Sequence, residues 1–223
     1  MIIAIDGPAG SGKSTVAKIV AGKLDFRYID TGSMYRSVAW KSLQKNVDLD
    51  DEAEVAGITR ETKIELVPGK NGQLVFVDGE DVTDRLKQET ISRAAAVVAA
   101  QSAIRDIMTA KQREMGNQGN VVMDGRDIGT VVFPQADRKF FLDADPEERG
   151  RRRFAELKAK NQEANADLAT IIEQVKQRDH EDRNRKIAPL KQADDATLID
   201  TTHLSIDEVV EQIMKTIGPC PKH

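Results

Sequence analysis

A segment of eight residues constrains the fold of this 223-residue chain more than any other. Residues 7–14 read GPAGSGKS and fit the pattern G-x-x-x-x-G-K-[ST] in full. Glycines let the backbone curl so that successive N–H groups face a phosphate, and a helix that begins after the loop adds the positive end of its dipole. The apolar run at 2–5 precedes the segment, so we expect a buried strand, a phosphate-binding loop and then a helix.

The chemistry of such a loop predicts a role for two side chains. Lys13 can reach the β- and γ-phosphates of a nucleoside triphosphate, and the Ser14 hydroxyl can ligate Mg²⁺. The pattern alone does not separate a kinase from a GTPase or a motor protein. The other residues that we expect to contact the triphosphate are Gly7, Pro8, Ala9, Gly10, Ser11, Gly12 and Thr15.

Apolar runs at regular intervals predict the rest of the core. The segments 26–29, 121–124, 139–143 and 197–200 are typical of buried strands, and helical patterns separate them. Strands that alternate with helices favour a parallel sheet covered on both faces, so the sequence predicts a three-layer α/β/α fold. A final helix is expected from Ser205, with Glu208 at capping-box spacing.

Two stretches depart from this alternation. Apolar segments at 64–67 and 74–77 flank a Pro- and Gly-rich turn, which predicts a hairpin in an inserted subdomain at about 58–98, with a helical stretch over roughly 92–114 leading back to the core. Residues 149–185 hold ten Lys or Arg against seven Asp or Glu, and their pattern predicts two helices joined near 161–167.

Composition and absent motifs exclude several classes of protein. No Asn is followed by Lys, so the chain lacks the Asn-Lys-x-Asp motif with which GTPases read guanine. A net charge of −4 argues against a general nucleic-acid binder. The single cysteine, Cys220, forms no disulfide, and neither a signal peptide nor a membrane-length apolar run is present, so we expect a cytoplasmic protein that does not bind membranes.

Two short segments are candidates for a second substrate site. Residues 30–36, DTGSMYR, follow a predicted strand, and Arg36 could hold an anionic acceptor; a helix N-cap with an incidental surface arginine is the other interpretation. Residues 124–129, DGRDIG, end another strand. An Asp in the place of Asp124 commonly orients Mg²⁺ or its waters, so we expect it to act through a water molecule.

The basic stretch supplies a third candidate. Arg149 and Arg153 are four residues apart and share a helix face, and Arg178, Asp182 and Arg185 share another. These arginines could converge on phosphates, because arginine makes bidentate phosphate contacts. A solvated helix face with a simple surface ion pair is the alternative interpretation.

Together these motifs resemble the bacterial cytidylate kinases. The similarity covers GPAGSGKST at 7–15, DTGSMYR at 30–36, DGRDIGTVVFP at 124–134 and RDxxDRNR at 178–185, in order along nearly the whole chain. The phosphate loop is shared with many proteins, whereas the last two motifs are specific to that family. The resemblance implies one kinase domain over 1–223, a monophosphate-binding insert at 58–98 and a helical lid at 146–186.

The resemblance also implies a reaction and a set of site residues. The expected reaction is ATP-dependent phosphorylation of CMP and dCMP to the diphosphates, by a monomer that needs Mg²⁺. By the same resemblance Arg36 and Arg126 hold the acceptor phosphate, Arg105 and Asp127 read the cytosine, and Thr31 and Tyr35 line its pocket. Arg178 and Asp182 touch the sugar, Arg185 reaches the phosphates and Arg153 contacts ATP.

The expected catalytic residues are Lys13, Arg36, Arg126, Arg178 and Arg185. A phosphate acceptor is mostly dianionic at pH 7, so no general base is expected. Two alternatives stay open at this point: another small-molecule kinase with a phosphate loop, acting on adenylate or on a non-nucleotide acid, and an ATP-binding switch without transfer activity.

Overall fold

The computed structural model describes residues 1–69, 72–159 and 167–218. The chain divides into two units, the first made of Met1–Arg27 and the chain from Val121 onward, the second of Tyr28–Asn120. In chain order the elements are β1 (Ile2–Asp6), α1 (Lys13–Leu24), β2 (Arg27–Asp30), α2 (Thr31–Gln44), α3 (Glu52–Glu61), β3 (Ile64–Gly69), β4 (Gly72–Val77), β5 (Glu80–Asp81), α4 (Glu89–Ala100), α5 (Ser102–Gly116), β6 (Val121–Gly125), β7 (Arg138–Asp143), α6 (Pro146–Ala159), α7 (Leu168–Asn184), β8 (Thr197–Asp200) and α8 (Ile206–Ile217).

The first unit contains four parallel strands in the order β6–β1–β7–β8. Asp6 at the end of β1 lies opposite Gly125 on one side and Phe141 on the other, and Asp143 of β7 lies opposite Asp200 of β8. The interior of β1 and all of β6 are buried, as continuous apolar runs in parallel sheets usually are. The carboxyl ends of these strands therefore meet at one edge, where open α/β sheets bind ligands.

The second unit joins helices to an antiparallel hairpin. Strand β3 pairs with β4 from Ile64 opposite Val77 to Gly69 opposite Gly72, and β5 extends the sheet beyond β4. The hairpin lies where the sequence predicts it, although residues 70 and 71 of the turn are outside the described residues. The predicted insert, 58–98, would begin inside α3 and end inside α4; its limits stay a prediction.

The predicted α/β fold with a parallel core sheet is confirmed, and so is the capping box that begins α8. The Ser205 hydroxyl accepts from the Glu208 N–H, and the Glu208 carboxylate accepts from the Ser205 N–H. Helices α6 and α7 are the two that the basic stretch predicts, but the predicted join falls largely on residues 160–166, outside the described residues. Cys220 lies outside them too.

The helical stretch predicted over 92–114 is present but interrupted, because the chain breaks at Gln101 into α4 and α5. The Gln101 backbone is extended, and its side-chain amide donates to the Leu49 carbonyl at 2.6 Å. The Glu52 carboxylate then accepts from the free Ala103 N–H at 2.7 Å. Contacts with residues about 50 positions earlier thus set the break, and helical periodicity does not record them.

Two elements have no counterpart among the predicted ones: the two-residue strand β5 and the helix α3. Asp51 caps this helix by accepting from the Glu54 N–H at 3.0 Å. Among the helices of the described residues, none combines the length and the apolar character that crossing a membrane requires.

Candidate functional site

The phosphate loop lies between β1 and α1, as its sequence predicts. Gly7, Gly10 and Gly12 all have positive φ angles, of 153°, 76° and 85°. Gly7 has a second reason to lack a side chain, because a Cβ there would collide with the carbonyl oxygen of Leu142 in β7. The loop therefore depends on glycine both for its curvature and for its close approach to the neighbouring strand.

Lys13 and Ser14 begin α1 and point to the chemistry of the loop. The Lys13 ammonium is buried and donates to the Pro8 carbonyl at 3.1 Å. The Ser14 hydroxyl donates to the Asp124 carboxylate at 2.6 Å, which joins the loop to the end of β6. One hydroxyl and one carboxylate fit Mg²⁺, since this ion usually binds one or two carboxylates, substrate phosphates and several waters.

A buried carboxylate that the sequence does not single out, Asp6, anchors the segment after β6. Its two oxygens accept from the backbone N–H groups of Ile128 and Gly129 at 2.8 and 2.7 Å. Burial raises the pKa of Asp6 to about 7, although these two hydrogen bonds and the nearby Arg126 lower it in part. The only sequence signal is its place at the end of a strand, directly before the phosphate loop.

The anchored segment carries Arg126 and Asp127 and continues into a π-helical turn over Ile128–Val132. Asp127 is only 5% exposed. Single π-helical turns are often found at functional sites. Asp6 therefore holds the backbone next to the residue that is expected to read the cytosine.

Arg126 belongs to a cluster of charges with the end of α7. Its Nε donates to one Asp182 oxygen at 3.1 Å, and the Arg185 guanidinium lies 3.6 Å from the other. Burial by itself would raise the pKa of Asp182, but the charges of Arg126, Arg178 and Arg185 together hold it below the usual range. The interpretation of Asp182 as part of a simple surface ion pair is therefore wrong. Its carboxylate is shielded and lies among three arginines.

The other two arginines of the basic stretch differ from each other. Arg153 is paired with Glu156 at 2.9 Å and remains a predicted ATP contact. Arg149 is almost fully buried, and its guanidinium donates to protein groups. The helix face that Arg149 and Arg153 share in the sequence thus does not deliver two equivalent phosphate contacts.

In the second unit, Asp30 organises the start of α2. It accepts from the Ser33 N–H at 2.9 Å and so caps the helix. The same carboxylate accepts from Arg36 at 3.0 Å, and the Ser33 hydroxyl accepts from Arg36 at 2.8 Å. The N-cap interpretation of this segment is thus correct, but Arg36 is not incidental, because the cap itself orients its guanidinium.

Arg105, a predicted site residue in the second unit, is buried at 3% exposure. It donates to the Ala99 carbonyl at 2.9 Å, so it satisfies an acceptor at the end of α4 that the break at Gln101 leaves without its helical donor. Its guanidinium carbon lies 5.6 Å from the centre of the Tyr35 ring, a cation–π geometry. Thr31 is also buried, at 3% exposure.

Within the first unit the structure therefore brings two predicted groups together. The first group is Lys13 and Ser14, which end the phosphate loop, together with Asp124, which accepts from Ser14. The second group is Arg126, Asp182 and Arg185, and the charge of Arg178 also acts on Asp182. Within the second unit, Arg36 is fixed by the cap of α2 and Arg105 is fixed against Tyr35. Sequence reasoning missed Asp6 and the structural use of Arg149.

Comparison with known proteins covers nearly the whole chain. A family model described as cytidylate kinase matches residues 3–218. A cytidylate kinase of Geobacillus sp. (strain WCH70) is 50% identical over 216 residues, 97% of this chain and 96% of that protein. A cytidylate kinase of Bacillus subtilis (strain 168) is 48% identical over 215 residues, 96% of this chain and 95% of the relative.

A solved structure of an uncharacterized protein from Eubacterium ventriosum superimposes with a TM-score of 0.53 at 13% identity. It covers 97% of this chain and 98% of its own. At that identity the likeness concerns the fold alone.

Proposed function

This chain belongs to the cytidylate kinase family, and we propose that it transfers the γ-phosphoryl group of ATP to CMP or dCMP, giving ADP and CDP or dCDP. The observation that carries the proposal is the pairing of two features in one unit. A complete phosphate loop is hydrogen-bonded through Ser14 to Asp124, and two residues later Arg126 begins a cluster of three arginines. A switch that only binds ATP has no use for such a second anion-binding group.

Each predicted residue keeps its role in this proposal. Arg36 and Arg126 hold the acceptor phosphate, Arg105 and Asp127 read cytosine, and Thr31 and Tyr35 line the base pocket. Arg178 and Asp182 contact the sugar, and Arg185 reaches the phosphates. Burial of Arg105, Asp127 and Thr31 to 5% exposure or less supports a recognition role, because their polar groups sit in protected surroundings.

The charge state of the acceptor phosphate makes a general base unnecessary. An oxygen of the acceptor phosphate forms a bond to the γ-phosphorus while the bond to the β–γ bridging oxygen breaks, and ADP leaves. The acceptor is mostly dianionic at pH 7, so no proton has to be removed. Lys13 and the arginines offset the repulsion between two anions and hold them in line.

A magnesium ion at Ser14 and Asp124 is part of the proposal. When bound, it neutralises charge on the phosphates and orients them. Ser14 would ligate it directly, and Asp124 would hold it through a water molecule. The two side-chain oxygens lie 2.6 Å apart, close enough to share one ion and its water shell, which supports this assignment.

The proposal also includes one kinase domain over 1–223, with the monophosphate-binding insert at 58–98 and the lid at 146–186. We propose a monomeric, cytoplasmic enzyme without nucleic-acid partners, in keeping with the net charge of −4. The lid would cover the phosphates and so exclude water, which otherwise competes for the phosphoryl group.

A panel of acceptors in a coupled ADP-release assay tests the function. We expect CMP and dCMP to be used with the highest kcat/KM, and UMP and AMP to be poor acceptors. A preference for AMP or for a non-nucleotide acid would favour another small-molecule kinase. ADP release that no monophosphate stimulates would favour the switch.

Changing Asp127 to asparagine is expected to reduce the preference for CMP over UMP about tenfold or more. A carboxylate accepts from the exocyclic amino group of cytosine, whereas an amide can also donate to the carbonyl that uracil carries there; one such contact is worth about 1–3 kcal/mol. The measurement is the ratio of kcat/KM for the two acceptors. An unchanged ratio would remove Asp127 from base recognition, and the KM for ATP serves as the internal control.

Changing Asp124 to asparagine is expected to raise the Mg²⁺ concentration needed for half-maximal activity about tenfold or more, because groups that orient a metal's ligands contribute 10- to 100-fold to affinity. The measurement is a Mg²⁺ titration at fixed ATP and CMP. Asp143→Asn is the matched control, since Asp143 ends the parallel strand β7 but pairs with Arg183 at 3.0 Å. Equal Mg²⁺ dependence in the two variants would contradict the assignment.

A further inference from the structure

Arg149 is one of the largest fully buried side chains, at 1% exposure. Its Nε donates to the Ala144 carbonyl at 2.8 Å. One terminal nitrogen donates to the Ala9 carbonyl and to an oxygen of Asp179, both at 3.0 Å, and the other donates to the second Asp179 oxygen. A single guanidinium thus bonds to the residue that follows β7, to the phosphate loop and to α7.

Asp179 completes this contact from the side of α7. It is 7% exposed, and it follows Arg178 and precedes Asp182 by one helical turn. Its two oxygens take a bidentate pair from Arg149, the geometry that gives arginine–carboxylate contacts their directional strength. The contact therefore fixes the orientation of α7 relative to the phosphate loop. It fixes the position of Arg178 and Asp182 in the same way, because both lie on α7.

Close packing on both sides of Arg149 leaves this arrangement little freedom. A Cβ on Gly10 of the loop would lie 3.2 Å from the Arg149 Cβ, so the loop touches α6 directly. A Cβ on Gly150 would collide with Ile172, so α6 and α7 cross in contact at the next residue. The loop, α6 and α7 are packed as one assembly around the ion pair.

Stability alone is a weak reason for such a pair. Removing two charges from water is costly, and well-packed apolar residues of similar volume often serve at least as well. What an ion pair adds is a defined geometry. Here the geometry links Ala9, whose peptide forms part of the phosphate loop, to α7, the helix that carries Arg178 and Asp182.

We propose that Arg149 and Asp179 are positioning residues for phosphoryl transfer, which hold α7 at a fixed place relative to the phosphate loop. The proposal rests on the kinase function above. Neither side chain contacts the substrates; they act through Ala9, Arg178 and Asp182. Loss of the pair would displace these groups and admit water, so ATP would be hydrolysed in place of being used for transfer.

The ratio of ADP to CDP formed in one reaction tests the proposal, because the ratio does not depend on the fraction of folded enzyme. With wild-type protein, ATP and CMP should give ADP and CDP in nearly equal amounts. With Asp179→Asn we expect a clear excess of ADP over CDP and a kcat for CDP about tenfold lower or more, since misplacements of about 1 Å can cost up to 100-fold.

Glu147→Gln is the matched control, because the Glu147–Lys176 pair joins the same two helices at 2.6 Å but is exposed. It should leave both the ratio and kcat unchanged. Asp179→Glu keeps the charge but moves the carboxylate, and should give the same excess of ADP; it decides the matter if Asp179→Asn does not fold. A wild-type ratio in folded Asp179 variants, even with a lower melting temperature, would overturn the proposal. Absence of CDP with the wild type would instead overturn the kinase function.

Discussion

Replacing Lys13 with alanine is expected to lower the turnover number about 100- to 1,000-fold, the usual cost of removing a preorganised group that stabilises charge in the transition state. The Lys13 ammonium is buried at the start of α1, where its charge can act on the β- and γ-phosphates at low local dielectric. The fold should survive, because losing the hydrogen bond from this ammonium to the Pro8 carbonyl, within the phosphate loop itself, is a minor loss.

The measurement is steady-state kinetics at saturating ATP and CMP, together with thermal unfolding. Lys23→Ala is the control, since it removes the same charge from the exposed last turn of the same helix. Turnover within a few-fold of that control would contradict the role of Lys13 in transfer.

Replacing Arg126 with methionine is expected to lower kcat/KM for CMP about 100-fold or more and to leave the KM for ATP little changed. The arginine is proposed to bind the acceptor phosphate, and a charge-assisted bidentate contact is among the strongest that a side chain makes. Methionine keeps the length of the apolar stem. Asp182 would still face Arg185 at 3.6 Å and the charge of Arg178, so the variant does not strand a buried carboxylate.

Arg151→Met provides the comparison, because Arg151 is 61% exposed and pairs only loosely with Glu148, at 3.3 Å. Steady-state kinetics with CMP varied at saturating ATP, and then the reverse, separate the two substrates. If Arg126→Met and Arg151→Met have similar kcat/KM for CMP, Arg126 does not hold the acceptor.

The sequence predicts the core because local signals and the fold agree there. Three features illustrate this: the apolar run at 2–5, the glycines of the loop and the Ser205 cap. Each lies within a few residues, and those residues alone are enough to predict the element. The same holds for Ser14 and Asp124: the phosphate loop joins Ser14 to the end of β1, and Asp124 lies near the end of the neighbouring parallel strand β6, so the two side chains meet once the sheet forms.

The features that the sequence does not predict depend on partners far along the chain. Gln101 breaks a helix because of Leu49 and Glu52, and nothing in the helical pattern marks the position. Arg149 shares a helix face with Arg153 but is buried, because it bonds to Asp179 and Ala9. These partners lie 30 residues later and 140 residues earlier in the chain, so the local pattern does not reveal them. Burial and long-range pairing, rather than residue type, decide whether an arginine faces a ligand or the interior.

Arg36 and Arg126 each pair with a carboxylate of the protein, Asp30 in one case and Asp182 in the other. Under the proposed function, a monophosphate that binds either arginine would exchange one anion for another, and the affinity would be the difference between the two attractions. The carboxylate already orders each guanidinium group through a hydrogen bond, so less ordering is left for an incoming anion. Release of the proposed diphosphate product would be the reverse exchange. The two carboxylates would pair with the arginines again as the product leaves, so the loss of the product's charged contacts would be offset by the contacts that re-form.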